Sequence, residues 1–234
     1  MSYPFVQENL LRVQERIAAA AHRAGRRAQE ITLIAVSKSH PAEAIRAGYE
    51  AGLRYFGENR VQEWEGKRGG LADLNASWHL VGHLQSNKAA RAAGLFHAVD
   101  SVDSLAVAQR LDRARGESSA SQKLRVLLEV RIADEAAKSG AQIGDLPVLA
   151  AQISALPHLE LAGLMCIPPF LEDPEKARPY FRGLRELRDR VASQLGRPLP
   201  VLSMGMSHDF SIAIEEGATE VRIGTAIFGL RTGH

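Results

Sequence analysis

The chain has 234 residues, 45% hydrophobic and 24% charged, with 29 Lys and Arg against 27 Asp and Glu. That is ordinary globular composition, long enough for one barrel-sized α/β domain. A net charge of +2 supplies no field for a nucleic-acid partner, and one cysteine, Cys166, excludes an internal disulfide framework. The opening Ser2-Tyr-Pro-Phe-Val-Gln-Glu has no apolar signal core, and no uncharged run approaches a membrane span. A soluble, cytoplasmic protein with no membrane contact is expected.

Phe5 to Ala24 carries Val6, Leu10, Val13 and Ile17 on one stripe and stops at Gly25, which predicts a helix lying across the outside or the bottom of the fold. Short apolar runs then alternate with stretches of helical period. The runs are Leu33–Val36, Arg54–Phe56, Trp78–Val81, His97–Val99, Arg125–Val130, Ala162–Ile167, Val201–Ser203 and Val221–Ile223.

The intervening helices have their own start and stop residues. Pro41 can open a helix ended by Gly52, and Ser86 can cap 87–93. Ser101 or Asp103 can open a helix that runs to Arg115 and stops at Gly116, with Asp100 and Asp103 read as caps. Asp173-Pro174 starts a long helix closed by Gly196, and Ser207 precedes one over Asp209–Glu216. On the long helix, Arg178, Arg182, Arg185, Arg188 and Arg190 recur at helical spacing and read as a solvated face. Gly116 to Gln122 reads as a surface loop. Eight strand–helix repeats without a composition break predict one domain, residues 1–234, folded as a single (β/α)8 TIM-type barrel with an extra N-terminal helix.

Barrel chemistry gathers at the carboxyl ends of strands. Lys38 ends the run Ile31-Thr-Leu-Ile-Ala-Val-Ser37 there, where burial or a nearby cation can free its amine as a nucleophile for a Schiff base; the alternative is a lysine snorkelling to solvent. The last two strands lead into Ser203-Met-Gly-Met-Ser207 and Gly224-Thr225, whose glycines and turn amides suit a phosphate, although turns and caps alone could account for them. Arg222, inside the last strand, needs an anionic or acceptor partner: a cofactor ring nitrogen, or Glu129 of the fifth strand. A strand-end lysine, a phosphate cup and an arginine for a pyridine nitrogen together point to pyridoxal 5'-phosphate (PLP). His79 and His83 lack the glutamate of a helical zinc motif, so no metal site is predicted, and Cys166 reads as core rather than nucleophile.

Ile34-Ala-Val-Ser-Lys38, Phe56-Gly-Glu-Asn-Arg60, Trp78 to Lys88, Gly163-Leu-Met165, Leu202 to Ser207 and Val221 to Gly229 resemble, in order, the pyridoxal phosphate homeostasis protein family. The resemblance implies a barrel like the N-terminal domain of alanine racemase, with PLP held as an aldimine on Lys38. It implies phosphate contacts from Ser207, Gly224 and Thr225, Arg222 at the ring nitrogen and Asn59 near the cofactor. Arg131 stands where many relatives have asparagine. A monomer that binds, buffers and delivers PLP, with apo PLP enzymes as recipients and an influence on vitamin B6 and amino-acid pools, is the implied function.

The rival is a PLP-dependent amino-acid racemase, which needs a second acid/base; in alanine racemase that is a tyrosine of a C-terminal β domain. Tyr3, Tyr49, Tyr55 and Tyr180 all precede the phosphate loops, so none is expected to serve. A lysine aldolase acting on phosphosugars would use Lys38 and the cup but leave Arg222 without a role.

Overall fold

In the computed structural model, which describes residues 3–118, 120–133 and 139–229, each apolar run pairs in parallel with the next and the first with the last. The ring is β1 (Thr32–Val36), β2 (Tyr55–Glu58), β3 (Ser77–Leu80), β4 (Ala98–Val102), β5 (Leu124–Val130), β6 (Leu159–Cys166), β7 (Val201–Ser203) and β8 (Glu220–Ile223). It closes where Ile34 faces Arg222 and Ala35 faces Ile223. Parallel neighbours require long crossovers, and helices supply them. These are α2 (Ala42–Glu50), α3 (Val61–Lys67), α4 (Ala89–Leu95), α5 (Leu105–Glu117), α6 (Leu146–Ser154), α7 (Arg178–Leu195) and α8 (Phe210–Glu215), while α9 (Thr225–Phe228) follows β8.

The additional helix, α1 (Pro4–Arg23), lies on the outside of the ring against α2, α8 and α9. Its stripe of Val6, Leu10, Val13 and Ile17 is buried, and each such side chain contributes roughly 1.5–3 kcal/mol of transfer free energy. Asn9 Nδ2 donates to the Ile227 carbonyl at 3.0 Å and fixes its register on α9.

The main core fills the layer between strands and helices; Trp78 stacks there between Trp64 and Phe56, at centroid distances of 3.9 and 5.1 Å. Alternation along each strand sends the other residues into the barrel. Ile34, Val36 and Val81 form one small apolar cluster inside, and Leu127, Ala162 and Met165 another. Gly57 completes the first: a Cβ there would sit 3.0 Å from Ile34 and 3.3 Å from Val81.

Several details differ from the sequence reading. β4 runs on to Val102, so Asp100 and Ser101 are buried strand residues and Ser104 takes the cap position of α5. Gly116 lies inside the last turn of α5, and β6 starts at Leu159, ahead of a register shift opposite Val126 and Leu127. The arginines of α7 are no simple solvated face: Arg178, Arg182 and Arg185 all reach Glu216 at 3.0–3.5 Å, and Arg178 also holds Glu215 at 2.8 Å. These guanidinium groups hold both carboxyls below the usual range and tie α7 to α8. Residues 134–138 of the loop after β5, part of the segment that begins at Arg131, lie outside the described residues, as does residue 119 of the Gly116–Gln122 loop.

Candidate functional site

The carboxyl ends of the strands surround a cavity of about 390 Å³, within the ~300–1,000 Å³ usual for small-ligand sites. Lys38, Asn59, Ser207, Arg222, Gly224 and Thr225, which the sequence singles out from four separate segments, all line it. Lys38 lies two residues past the end of β1 and is half-buried; Val36 and Val81 provide an apolar wall beside it. On the opposite rim Phe170 is 77% exposed and its ring centroid lies 5.3 Å from that of His208.

The loops after β7 and β8 meet over this cavity. The Ala226 amide donates to Ser207 Oγ at 3.3 Å, joining the two loops. Asp209 takes the amide of Met206 at 2.7 Å and so caps the turn that presents Ser207. Gly224 is required by space: a Cβ at this position would lie 2.9 Å from the Val36 carbonyl oxygen, so only glycine lets the last strand turn this close to the first. Two loops presenting hydroxyls and amides to one concavity form a cradle for a tetrahedral anion.

Arg222 is 4% exposed and points into the barrel beneath the cavity. It does not pair with Glu129. One nitrogen donates to Ser203 Oγ at 2.7 Å and another to the Cys166 carbonyl at 2.8 Å. Neutral acceptors leave its charge without a direct anionic contact and available to a ligand on the cavity side. Glu129 instead accepts from Ser139 Oγ at 3.1 Å through Oε1, while Oε2 is buried with no hydrogen-bond partner. Burial pushes its carboxyl above the ordinary value. Glu129 lines the cavity, a placement the sequence reading did not make. Cys166 is fully buried, and burial pushes its thiol up to about 12, consistent with core packing.

Deeper in the barrel lies a polar cluster that the sequence concealed. Asp100, read as a helix cap, accepts from His79 Nδ1 at 3.0 Å and lies 3.6 Å from the Arg125 guanidinium, which also pairs closely with Glu220. Ligand-type atoms of His79, Asp100 and Glu220 fall within 4.8 Å of one another. Arg125 already supplies the cation this arrangement needs, so the cluster reads as a buried ion network. Asp103 is likewise no cap but faces His83 at 3.4 Å on the cavity rim.

Residues 9–232 match the family described as alanine racemase, N-terminal domain. Pyridoxal phosphate homeostasis proteins of Aquifex aeolicus and Pseudomonas aeruginosa are 46% and 47% identical to this chain, over 96–97% of its length and 96–97% of theirs. The chain belongs to the pyridoxal phosphate homeostasis protein family. Among solved relatives, PipY of Synechococcus elongatus with PLP bound superposes with a TM-score of 0.82 at 41% identity, covering 93% of this chain and 100% of that one. An alanine racemase of Corynebacterium glutamicum, at 20% identity and a TM-score of 0.67, shares the barrel fold over 60% of its length. The family's eight-stranded barrel is therefore the one expected from the run pattern. No described helix is long and apolar enough to cross a membrane.

Proposed function

We propose that this chain, residues 1–234, is one PLP-binding domain that carries and buffers PLP within vitamin B6 and amino-acid homeostasis, without substantial turnover. The observation that carries the reading is the convergence of Lys38, Arg222 and the Ser207 and Gly224-Thr225 loops on one cavity. The PLP bound in the structure of the PipY relative supports the choice of ligand.

The residues fit the group. Its phosphate would be held by Ser207, Thr225 and the amides beside Gly224, its pyridine ring would lie against Val36 and Val81 with the nitrogen toward Arg222, and Asn59 would border it. PLP supplies an aldehyde that condenses with a primary amine and a ring that withdraws electrons most strongly when its nitrogen is protonated. The amine is that of Lys38. An arginine does not give up its proton, so at this nitrogen it leaves the ring unprotonated and a weak electron sink. No tyrosine is among the described residues lining the cavity, so the second acid/base of a racemase has no tyrosine to fill it. Both observations favour holding the cofactor over turning over amino acids. Apo PLP enzymes are the recipients this role calls for, and a monomer suffices for it.

Borohydride reduction of the PLP-loaded protein followed by peptide mapping should place the adduct on Lys38. Lys38→Ala should lose the visible absorbance, and a chiral assay across amino acids should show no turnover. Full absorbance in Lys38→Ala would refute the anchor, and turnover near 1 s⁻¹ or above, within the common enzyme range, would refute the carrier reading in favour of a racemase.

A further inference from the structure

Ser39, immediately after Lys38, is the one non-glycine among the described residues with positive φ, at 63°. A side chain in the left-handed region is disfavoured, and such conformations persist where surrounding contacts impose them. Here the imposing contacts come from behind the strand. The Ser39 amide donates to Glu63 Oε1 at 2.5 Å. The same oxygen accepts from Lys67 Nζ at 2.6 Å, and that ammonium also donates to the Ser37 carbonyl at 3.1 Å. Lys67 Nζ further reaches both oxygens of Glu58 at 3.2 and 3.3 Å, and Glu58, fully buried, accepts from Ser37 Oγ at 2.6 Å. The peptide groups on both sides of Lys38 thus end on one cation and its two carboxylates.

A glutamate and lysine four apart on α3 would ordinarily be a surface pair of little weight. This one is turned inward: the Lys67 side chain is only 14% exposed and that of Glu63 26%, and Lys67 reaches on to Glu58, whose side chain is 0% exposed. Burying such a pair is a poor route to stability, since desolvation offsets the attraction. Fixing a backbone turn is a use that would justify it. Lys38 is also the residue for which orientation matters, because an amine must approach a carbonyl carbon along a restricted path.

Resting on the PLP reading above, we infer that Lys67, through Glu58 and Glu63, is a positioning residue that holds the Ser37-Lys38-Ser39 turn in the conformation from which Lys38 reaches the cofactor's aldehyde. The condensation itself joins the Lys38 nitrogen to the aldehyde carbon with loss of water. Lys67 takes no part in that exchange.

The test compares two ligands in wild type, Lys67→Met and Glu63→Gln. PLP reports bond formation through its visible absorbance; pyridoxine 5'-phosphate has the same ring and phosphate but no aldehyde, and reports only the cavity. Misplacing a reacting group by about 1 Å can cost ~10²-fold, so Lys67→Met should slow PLP bond formation by at least about tenfold. Pyridoxine 5'-phosphate affinity should stay within about twofold of wild type, and Glu63→Gln should give a smaller slowing in the same direction. Adding Ser39→Gly to Lys67→Met should restore part of the rate, because glycine adopts positive φ without the steric cost that serine meets. An unchanged PLP rate in Lys67→Met, an equal loss for both ligands, or no rescue by Ser39→Gly would each overturn the inference. A wild-type protein that forms no PLP adduct at all would instead sink the cofactor reading on which it rests.

Discussion

Removing both hydroxyls of the anion cradle, Ser207→Ala together with Thr225→Ala, should weaken PLP binding while sparing the chemistry of Lys38. A hydrogen bond to a charged group contributes roughly 1.5–3 kcal/mol. Thr225 is exposed, so water replaces part of its contact and its share belongs at about 1.5 kcal/mol. Ser207 Oγ occupies the Ala226 amide at 3.3 Å. Its loss frees that N–H for a phosphate oxygen and returns about 1 kcal/mol, leaving a net cost near 0.5–2 kcal/mol. The double variant should therefore lose about 2–3.5 kcal/mol, which at ~1.4 kcal/mol per decade is about 30- to 300-fold in affinity. Pyridoxal, which has no phosphate, should bind both proteins equally and still colour them at high concentration. Titrating both ligands into both proteins measures the ratio directly. A preference for PLP over pyridoxal that changes by less than about threefold would mean that the phosphate is held elsewhere and that the cofactor orientation argued from Arg222 and Gly224 is wrong.

Glu129 offers a pH test. Its folded-state carboxyl sits above the ordinary 4.5 because of burial, so its contribution to stability is complete below that value and declines as pH rises through the folded one. Glu129→Gln cannot ionise and should be more stable than wild type in denaturant at pH 8 but not near pH 4; a pH-independent difference would show that Glu129 is not the titrating group. Gly163→Ala should be severe, because its Cβ would sit 1.9 Å from the Val201 carbonyl oxygen, which belongs to rigid backbone of the neighbouring strand. A loss of about 3 kcal/mol or more is expected from the denaturation midpoint, and a loss under about 1 kcal/mol would show that β6 and β7 separate easily.

The ring of strands was legible because parallel strands buried on both faces read as continuous apolar runs. The errors lie where that signal is broken by polar residues. Asp100 and Ser101 ended the fourth run in the sequence although they continue β4, because His79, bonded to Asp100 Oδ2, and the Gly82 carbonyl, bonded to Ser101, each about twenty residues away, meet them inside the barrel. Arg222 was legible as a buried charge but not its partners, since Ser203 and the Cys166 carbonyl carry no charge pattern to point at. Lys38, Ser207 and Gly224-Thr225 could be found because strand ends and glycine turns mark themselves locally. The Glu58–Lys67 contact could not: its traces were a glutamate closing an apolar strand and a lysine one helical turn from Glu63, and only folding brings either near Ser37.

The cavity straddles the join of the barrel. Lys38 leaves the first strand of the ring while Arg222 belongs to the last and Gly224 follows it, and Gly224 backs onto the Val36 carbonyl across that join. Most of the chain lies between these two strands, so their pairing closes the longest loop in the sheet and carries its largest closure entropy. A small molecule anchored to one side and gripped by the other acts as a clasp on this closure and adds its binding free energy to the closed ring. Parting β1 from β8 would at once loosen the barrel and break the grip on the molecule's far side, leaving it on its anchor alone. Loss of that grip and breathing of the ring would then be one motion, and whatever grips the molecule harder also fastens the fold.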